Sequence, residues 1–278
     1  NPQFFSAKQN FYGPYFMLST EVSAIYTENG VGHRIHNLIF APNLETASKI
    51  NTEFQKRGFN LSADGRPIFN LTSRNLVELL LGIDPLIALI PCHIWTPWFS
   101  LYGSRSGYDA IGDCFGNYAK YIFAVETGLS SDPSMNWRIK ELNSRSIVSF
   151  SDAHSLEKMG REATVLRWKN RISNTTNAKY PISNDSGPHP NPLPKGEGIA
   201  GRAEDITYRN ILNAFVRGKE RIFEIGYTIE FYPEEGKYHF TGHRNCGVSY
   251  DPEQDRTKGT TCPKCGRELT VGVMHRVE

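Results

Sequence analysis

Apolar and polar positions along this chain switch between a period of two and a period near 3.6. Tyr15 to Leu18 is a short apolar run that leads to a carboxylate at Glu21, within a strand-like stretch reaching Tyr26. His33 to Phe40 is a second run, entered through two histidines, His33 and His36. Both read as buried strands with polar residues at their ends. Asn43 to Arg57 then sets apolar residues at helical spacing behind an Asn cap, and Leu76 to Leu81 is a second helix. Leu86 to Pro91 is a continuous apolar strand running into Cys92 and His93. The order repeats: Ile111 to Tyr118 as helix, Tyr121 to Val125 as a strand ending at Glu126, and Ile147 to Phe150 as a strand ending in Ser151-Asp152-Ala153-His154. Helix resumes at Ile206 to Lys219, with a strand at Ile222 to Phe231. Strands alternating with helices predict a parallel sheet in an α/β fold, either an open sheet or a β/α barrel, with polar residues collected at the strand C-termini.

Glu21, His93, Glu126, Asp152 and His154 all follow such runs, and His36 lies within one. Residues two apart in a strand share a face, so Asp152 and His154 can share one ion. The competing reading is an Asp that caps the next helix beside a surface His. Mixed imidazole and carboxylate sets hold hard or borderline cations that activate water, and clusters of such ions serve phosphoester hydrolysis. The loop after His93 carries Trp95, Trp98, Phe99 and Tyr102 among small residues, with Ser100 and Arg105. Aromatics beside an Arg and backbone amides suit stacking on a base and gripping a phosphate. A packed hydrophobic loop over the mouth of the sheet is the alternative.

Composition narrows the class. At 278 residues, 39% hydrophobic and 22% charged, the chain has the make-up of an ordinary globular protein with room for one large domain and a small one. A net charge of +2 provides no global field for nucleic acid, so any basic surface is local. No apolar run approaches the roughly 20 residues that span a bilayer, which predicts a cytoplasmic protein with no membrane partner. Five cysteines, an odd count with one Cys-x-x-Cys pair, point to metal binding rather than a disulfide framework. His243-x-x-Cys246 and Cys262-x-x-Cys265 offer four N/S ligands at zinc-ribbon spacing, with Gly247 and Gly266 after each pair, and a closed four-ligand site of this kind is structural. His239 is a competing ligand at poorer spacing. Residues 172–203 are rich in Pro and Gly and poor in apolar residues, resemble the translation of a bacterial palindromic repeat, and are expected to form a disordered surface loop in which His189 has no ligand role. The expected division is 1–232 for the main domain, with that insertion, and 233–278 for the zinc module. The chain opens at Asn1 without a methionine, which suggests a fragment or a processed chain.

Several segments resemble the endonuclease Q family of the polymerase-and-histidinol-phosphatase (PHP) superfamily: Thr20-Glu21-Val22-Ser23, Arg34 to Pro42, Asp64-Gly65-Arg66-Pro67, Pro91 to Phe99, Glu126 to Pro133, Ser151 to Ser155, Gly160-Arg161-Glu162-Ala163, Glu230 to His239, and Met274 to Glu278. The resemblance covers nearly all of the chain outside residues 172–203. It implies a distorted β/α barrel with a multinuclear centre of divalent metals (Zn, Mn or Mg), and hydrolysis of DNA on the 5′ side of deaminated bases, hypoxanthine or uracil, or of abasic sites. It puts Glu21, His36, His93, Asp152 and His154 on metal-binding positions, Asp152 and His154 at the heart of catalysis, and Glu126 as a catalytic or site-lining carboxylate. Arg66 joins Trp95, Trp98, Ser100 and Arg105 as a DNA-binding residue, and extrusion of the damaged base would explain the aromatic loop. The family begins with a His-x-His strand that has no counterpart before Glu21. A barrel lacking its first strands, a partner fragment that completes it, and doubtful activity of this chain alone are therefore expected. The rival readings are a small-molecule phosphoesterase of the same superfamily and a non-catalytic nucleic-acid-binding remnant.

Overall fold

The computed structural model describes residues 14–62, 66–169 and 205–278. The Pro/Gly-rich stretch at 172–203, and Asp64 and Gly65 of the Asp-Gly-Arg-Pro segment, lie outside the described residues.

Asn29 and Gly30 decide how the fold begins. Both take positive φ, 51° and 80°, the conformation that a two-residue hairpin turn of the I′ type requires and that Asn-Gly supplies at least cost. β1 (Ser19–Glu28) therefore folds straight back on β2 (Val31–Phe40), in register from Ser19 opposite Phe40 to Glu28 opposite Val31. β3 (Ile68–Phe69) adds to β1 in parallel, and β4 (Ala88–Pro91) adds to β2 antiparallel, giving the order β3-β1-β2-β4. β5 (Ala124–Glu126) and β6 (Ser146–Val148) form a parallel pair. β7 (Ala163–Trp168) and β8 (Phe223–Ile229) form an antiparallel one, as do β9 (Thr241–His243) and β10 (Val248–Tyr250). The α/β class holds, but the sheets are mixed rather than parallel, and no closed barrel sheet forms among the described residues. The alternation of strands and helices misled because the first two strands are joined by a turn too short for a crossover.

α1 (Leu44–Lys56) starts where expected, at Asn43, whose side chain accepts the Thr46 N–H at 2.8 Å, and it buries Thr46, Ile50 and Phe54 at intervals of four. α2 (Ser73–Ile83) is capped by Thr72 and buries Leu76, Val77 and Leu80. Shorter helices follow: α3 (Ile111–Phe115), α4 (Pro133–Asn136), α5 (Tyr208–Phe215), α6 (Pro252–Lys258) and α7 (Val273–Val277).

Successive residues of the short strands face opposite ways. Ile39, Leu89, Val125 and Ile147 enter one buried cluster with α1 and α2, while Phe40, Ala88, Ile90, Ala124 and Val148 enter another with Tyr208 and Phe215 of α5. β2, β4, β5 and β6 thus carry apolar layers on both faces, with Glu126 at the end of β5 and His93 just past β4. Val273 and Val277 of α7 belong to the first cluster, so the C-terminal segment shares the main core. No helix among the described residues is long and apolar enough to cross a membrane.

Candidate metal centre

Hairpin register brings the first two ligand candidates together. His36 on β2 stands opposite Ser23, and Glu21 on β1 opposite Leu38, so Glu21 and His36 are diagonal neighbours on one face. β4 delivers the third: the Cys92 N–H bonds to the His36 carbonyl at 3.0 Å, and His93 follows immediately. His36 Nδ1 lies 2.7 Å from Glu21 Oε1 and 3.2 Å from His93 Nε2, and His93 Nε2 lies 3.7 Å from Glu21 Oε1. Glu21 is thus a residue inside a strand rather than one that follows it.

The trio suits a divalent cation. Glu21 Oε1 is buried and, despite its close neighbours, accepts no aligned hydrogen bond; an oxygen in that state beside two imidazole nitrogens is a donor set for a metal. Burial raises the Glu21 carboxyl, but contacts with His36 and His93 outweigh it and hold the group well below the usual carboxylate range. Burial pushes His36 down, so it is held as a neutral ligand-type imidazole. His93 is also opposed by burial, yet the Glu21 contact and the charges of Glu126, Glu21 and Asp152 pull it up. The carboxylates around the site thus favour positive charge at its centre.

Glu126 ends β5 and lies behind His93. Its Oε2 accepts the His93 N–H at 2.8 Å, and burial, aided by Asp152 and Glu21, pushes its carboxyl up to about 7. It fixes the His93 backbone and does not reach the open side. His93 has φ 30° and Asp152 φ 44°, a region that L-residues occupy at a cost and that clusters at functional sites.

Asp152 and His154 are not on a strand: β6 stops at Val148, and the motif lies in the turn beyond it. Left-handed backbone at Asp152 breaks the period of two, so the expected shared strand face does not exist. Instead His154 Nδ1 is 2.9 Å from the Asp152 carbonyl and 3.8 Å from its carboxylate, with the imidazole side chain 66% exposed. Arg161 holds the turn through the Ser151 and Asp152 carbonyls at 2.8 and 3.1 Å. Arg66 spans the gap to the buried trio, with Nε 3.1 Å from Glu21 Oε1 and Nη2 3.1 Å from His154 Nε2 and 3.8 Å from Asp152. The sequence reading put Arg66 on DNA; the fold sets it among the ligand candidates.

The loop after His93 is mostly packing. Trp95 is 3% exposed, donates to Asn136 Oδ1 at 2.8 Å and stacks on Tyr102. Ser100 is fully buried and donates to the Thr96 carbonyl. Arg105 is engaged by Glu268 at 2.7 Å and the Leu269 carbonyl at 2.6 Å. Trp98 remains half-buried, edge-on to Tyr238, in a groove of about 730 Å³ that Lys237, Phe240 and Arg244 also line. Of the four loop residues expected on DNA, Trp95 and Ser100 are buried, while Trp98 and Arg105 also line a second cleft of about 400 Å³.

His243, Cys246, Cys262 and Cys265 converge, their ligand atoms all within 4.8 Å of one another. That spread suits four ligands around one tetrahedral ion. Gly247 and Gly266 take φ 61° and 70°, as the turn after each pair demands. Although burial raises it, hydrogen bonds from His243 and the Lys264 and Cys265 backbone pull the Cys262 thiol down to about 6, toward the thiolate that binds metal. His239 is buried against Phe240 and stands apart from the four.

One carboxyl pair was not singled out by the sequence reading. Glu162 precedes β7 and is 1% exposed; its Oε1 accepts the Phe231 N–H at 3.1 Å and its Oε2 has no partner. Glu230 follows β8, with Oε2 bound to Thr127 and Ser149 hydroxyls at 3.0 and 3.2 Å and Oε1 unpartnered. Burial, with the Glu230 charge adding, pushes Glu162 up to about 7. The folded chain therefore holds this proton more tightly than the unfolded one, and the stability it lends is full at acid pH and lost as pH rises through about 7. Glu162→Gln should stabilise the protein at pH 8 by about 1–3 kcal/mol and have little effect at pH 5. Urea melts at the two pH values check this, and an equal effect at both would refute it.

No family model matches the sequence. An uncharacterized protein of Methanocaldococcus jannaschii is 31% identical over 186 residues, 66% of this chain and 18% of that protein. The uncharacterized protein YqxK of Bacillus subtilis is 35% identical over 148 residues, 52% of this chain and 36% of that one. Among solved structures, the lesion-specific endonuclease PfuEndoQ from Pyrococcus furiosus matches with a TM-score of 0.64 at 25% identity. Endonuclease Q in complex with a 27-mer duplex bearing an abasic lesion at the active site matches at 0.65 and 26%. Each match covers 91% of this chain and 56% of the other. The chain is endonuclease Q-like in structure over that span, and it covers less than two thirds of the length of each of these proteins.

Proposed function

We propose that this chain carries one wall of a divalent-metal-dependent DNA-repair endonuclease, which hydrolyses a phosphodiester on the 5′ side of a deaminated base or an abasic site. The observation that carries the reading is the Glu21, His36 and His93 donor set, with atoms 2.7–3.7 Å apart, facing Asp152 and His154 across Arg66. The likeness to lesion-specific endonucleases, one of them with an abasic duplex at its active site, supports DNA as the substrate.

A divalent ion held by the trio supplies Lewis acidity and lowers the pKa of water. Everything else is done by the chain. Glu21 offers the fixed negative charge and His36 a neutral nitrogen, and Glu126 locks His93 in place from behind. Asp152 and His154 stand at the open side, where substrate meets the site. Trp98 and Tyr238, with Lys237 over the Tyr238 ring at 5.0 Å, give the neighbouring groove an aromatic and basic lining suited to an unstacked nucleotide.

The test is nicking of a duplex with a single deoxyinosine, deoxyuridine or abasic site by the full encoded protein with Mg²⁺, Mn²⁺ or Zn²⁺. We expect a break on the 5′ side of the lesion. Asp152→Asn should cut the rate by about 10²-fold or more while DNA affinity stays within about threefold, because it removes a charge from the site but leaves the groove intact. Hydrolysis of small phosphomonoesters with no nicking of any of these duplexes would overturn the reading.

A further inference from the structure

Two arginines meet at the open side of the centre, and they are differently committed. Arg161 is spent on backbone, with Nε and Nη2 on the carbonyls of the turn that holds Asp152. Arg66 bonds to no backbone carbonyl among the described residues; its partners are Glu21, His154 and Asp152, all ligand candidates.

A guanidinium has five N–H donors and never gives up its charge. In Arg66, Nε faces Glu21, and Nη2 faces His154 and Asp152. Nη1, with two donors, has no protein partner among the described residues, and the side chain is 30% exposed. The ion pair of Nε with Glu21 and the Nη2 contact with His154 hold two of the three nitrogens, so an anion bound at the third would sit near the carboxylate and imidazoles that would hold the cation. A charge fixed this way needs no reorganisation when charge develops on a phosphoryl group.

We infer that Arg66 grips the scissile phosphate, donating from Nη1 to a nonbridging oxygen while Glu21 and His154 hold its orientation. This rests on the phosphodiesterase reading above and names the residue that binds the anion. Lysine keeps the charge but has neither the fork nor its two anchors.

The experiment uses Arg66→Lys and Arg66→Gln in the full encoded protein, with inorganic phosphate as the probe. Phosphate affinity is measured by calorimetry in the presence of Mg²⁺, divalent-cation affinity is measured separately, and thermal melts establish that both variants fold. Phosphate binding should weaken about tenfold in Arg66→Lys and further in Arg66→Gln, with cation affinity within about threefold of wild type. On lesion DNA, kcat should fall with KM little changed. Unchanged phosphate affinity in both variants, or a wild type that binds no phosphate, overturns the inference. So does a loss of cation affinity equal to the loss of phosphate affinity, which would mean that Arg66 only orients Glu21. A wild type that binds phosphate through Arg66 but nicks no lesion DNA sinks the endonuclease reading and leaves the anion site standing.

Discussion

Replacing Gly128 by alanine is expected to lower stability by about 2–4 kcal/mol and divalent-cation affinity by about 10–100-fold. Gly128 touches no candidate ligand by charge or hydrogen bond, so the effect is steric. Its φ is +59°, and an added Cβ would lie 2.3 Å from His93 Cβ and 2.8 Å from His93 Cα. His93 has no room to retreat. Its own φ is 30°, its N–H is held by Glu126 Oε2, and the next residue, Ile94, bonds to the Glu126 carbonyl at 3.1 Å. On the other side, the Thr127 N–H is tied to the Val148 carbonyl at 2.9 Å. Either the turn at 126–128 breaks or the imidazole moves, and the trio with its nitrogens 3.2 Å apart does not survive a shift of that size. Calorimetric titration with Mn²⁺ and thermal melts of the variant, with and without the ion, measure both effects. Wild-type affinity together with a wild-type melting temperature would show that His93 is not clamped as described.

How far such features can be read from sequence depends on whether the cause is local. α1 and α2 were legible because Asn43 and Thr72 cap them and their apolar spacing is helical. Glu21, His36 and His93 were legible as ligand types, because apolar runs surround them and force an explanation for each polar residue. Asn29-Gly30 was equally local and was passed over, and with it went the antiparallel start of the sheet. β7 escaped notice because its positions are half-buried to exposed and show no alternation. Arg66 could not be placed, since its partner His154 is 88 residues away and nothing near Arg66 announces it. Trp95 was misread in the opposite sense. An aromatic on a loop beside a ligand looks like a binding residue until Asn136, 41 residues on, is seen to take its N–H in the core.

Disrupting the candidate four-ligand site near the C-terminus should reach the main domain, and this is the second large effect. Zinc is the ion that four N/S ligands at this spacing favour. Cys262→Ser, or chelation, is expected to cost about 4 kcal/mol or more and to lower the melting temperature by about 10 °C, since metal binding in such modules is folding free energy. The damage will not stay local, because the segment that follows the site is built into the core. Val273 and Val277 pack with the first apolar cluster, and Arg276 bonds to the Tyr102 and Tyr108 carbonyls at 3.2 and 3.3 Å and to Asp109 at 2.8 Å. From the other direction, Ser104 donates to the Val271 carbonyl and Arg105 clamps Glu268 and Leu269. The loop at 98–107, which carries Trp98 and whose Phe99 carbonyl accepts the His36 N–H at 3.0 Å, is therefore braced by the C-terminal segment that carries the candidate four-ligand site. Removing the ion should raise hydrogen exchange across residues 98–107 as well as in the module itself, whereas Asp152→Asn should leave exchange there unchanged. If Cys262→Ser retained one ion per chain and melted like wild type, the four-ligand site would be disproved. If it lost the ion and only the module exchanged faster, the brace would be.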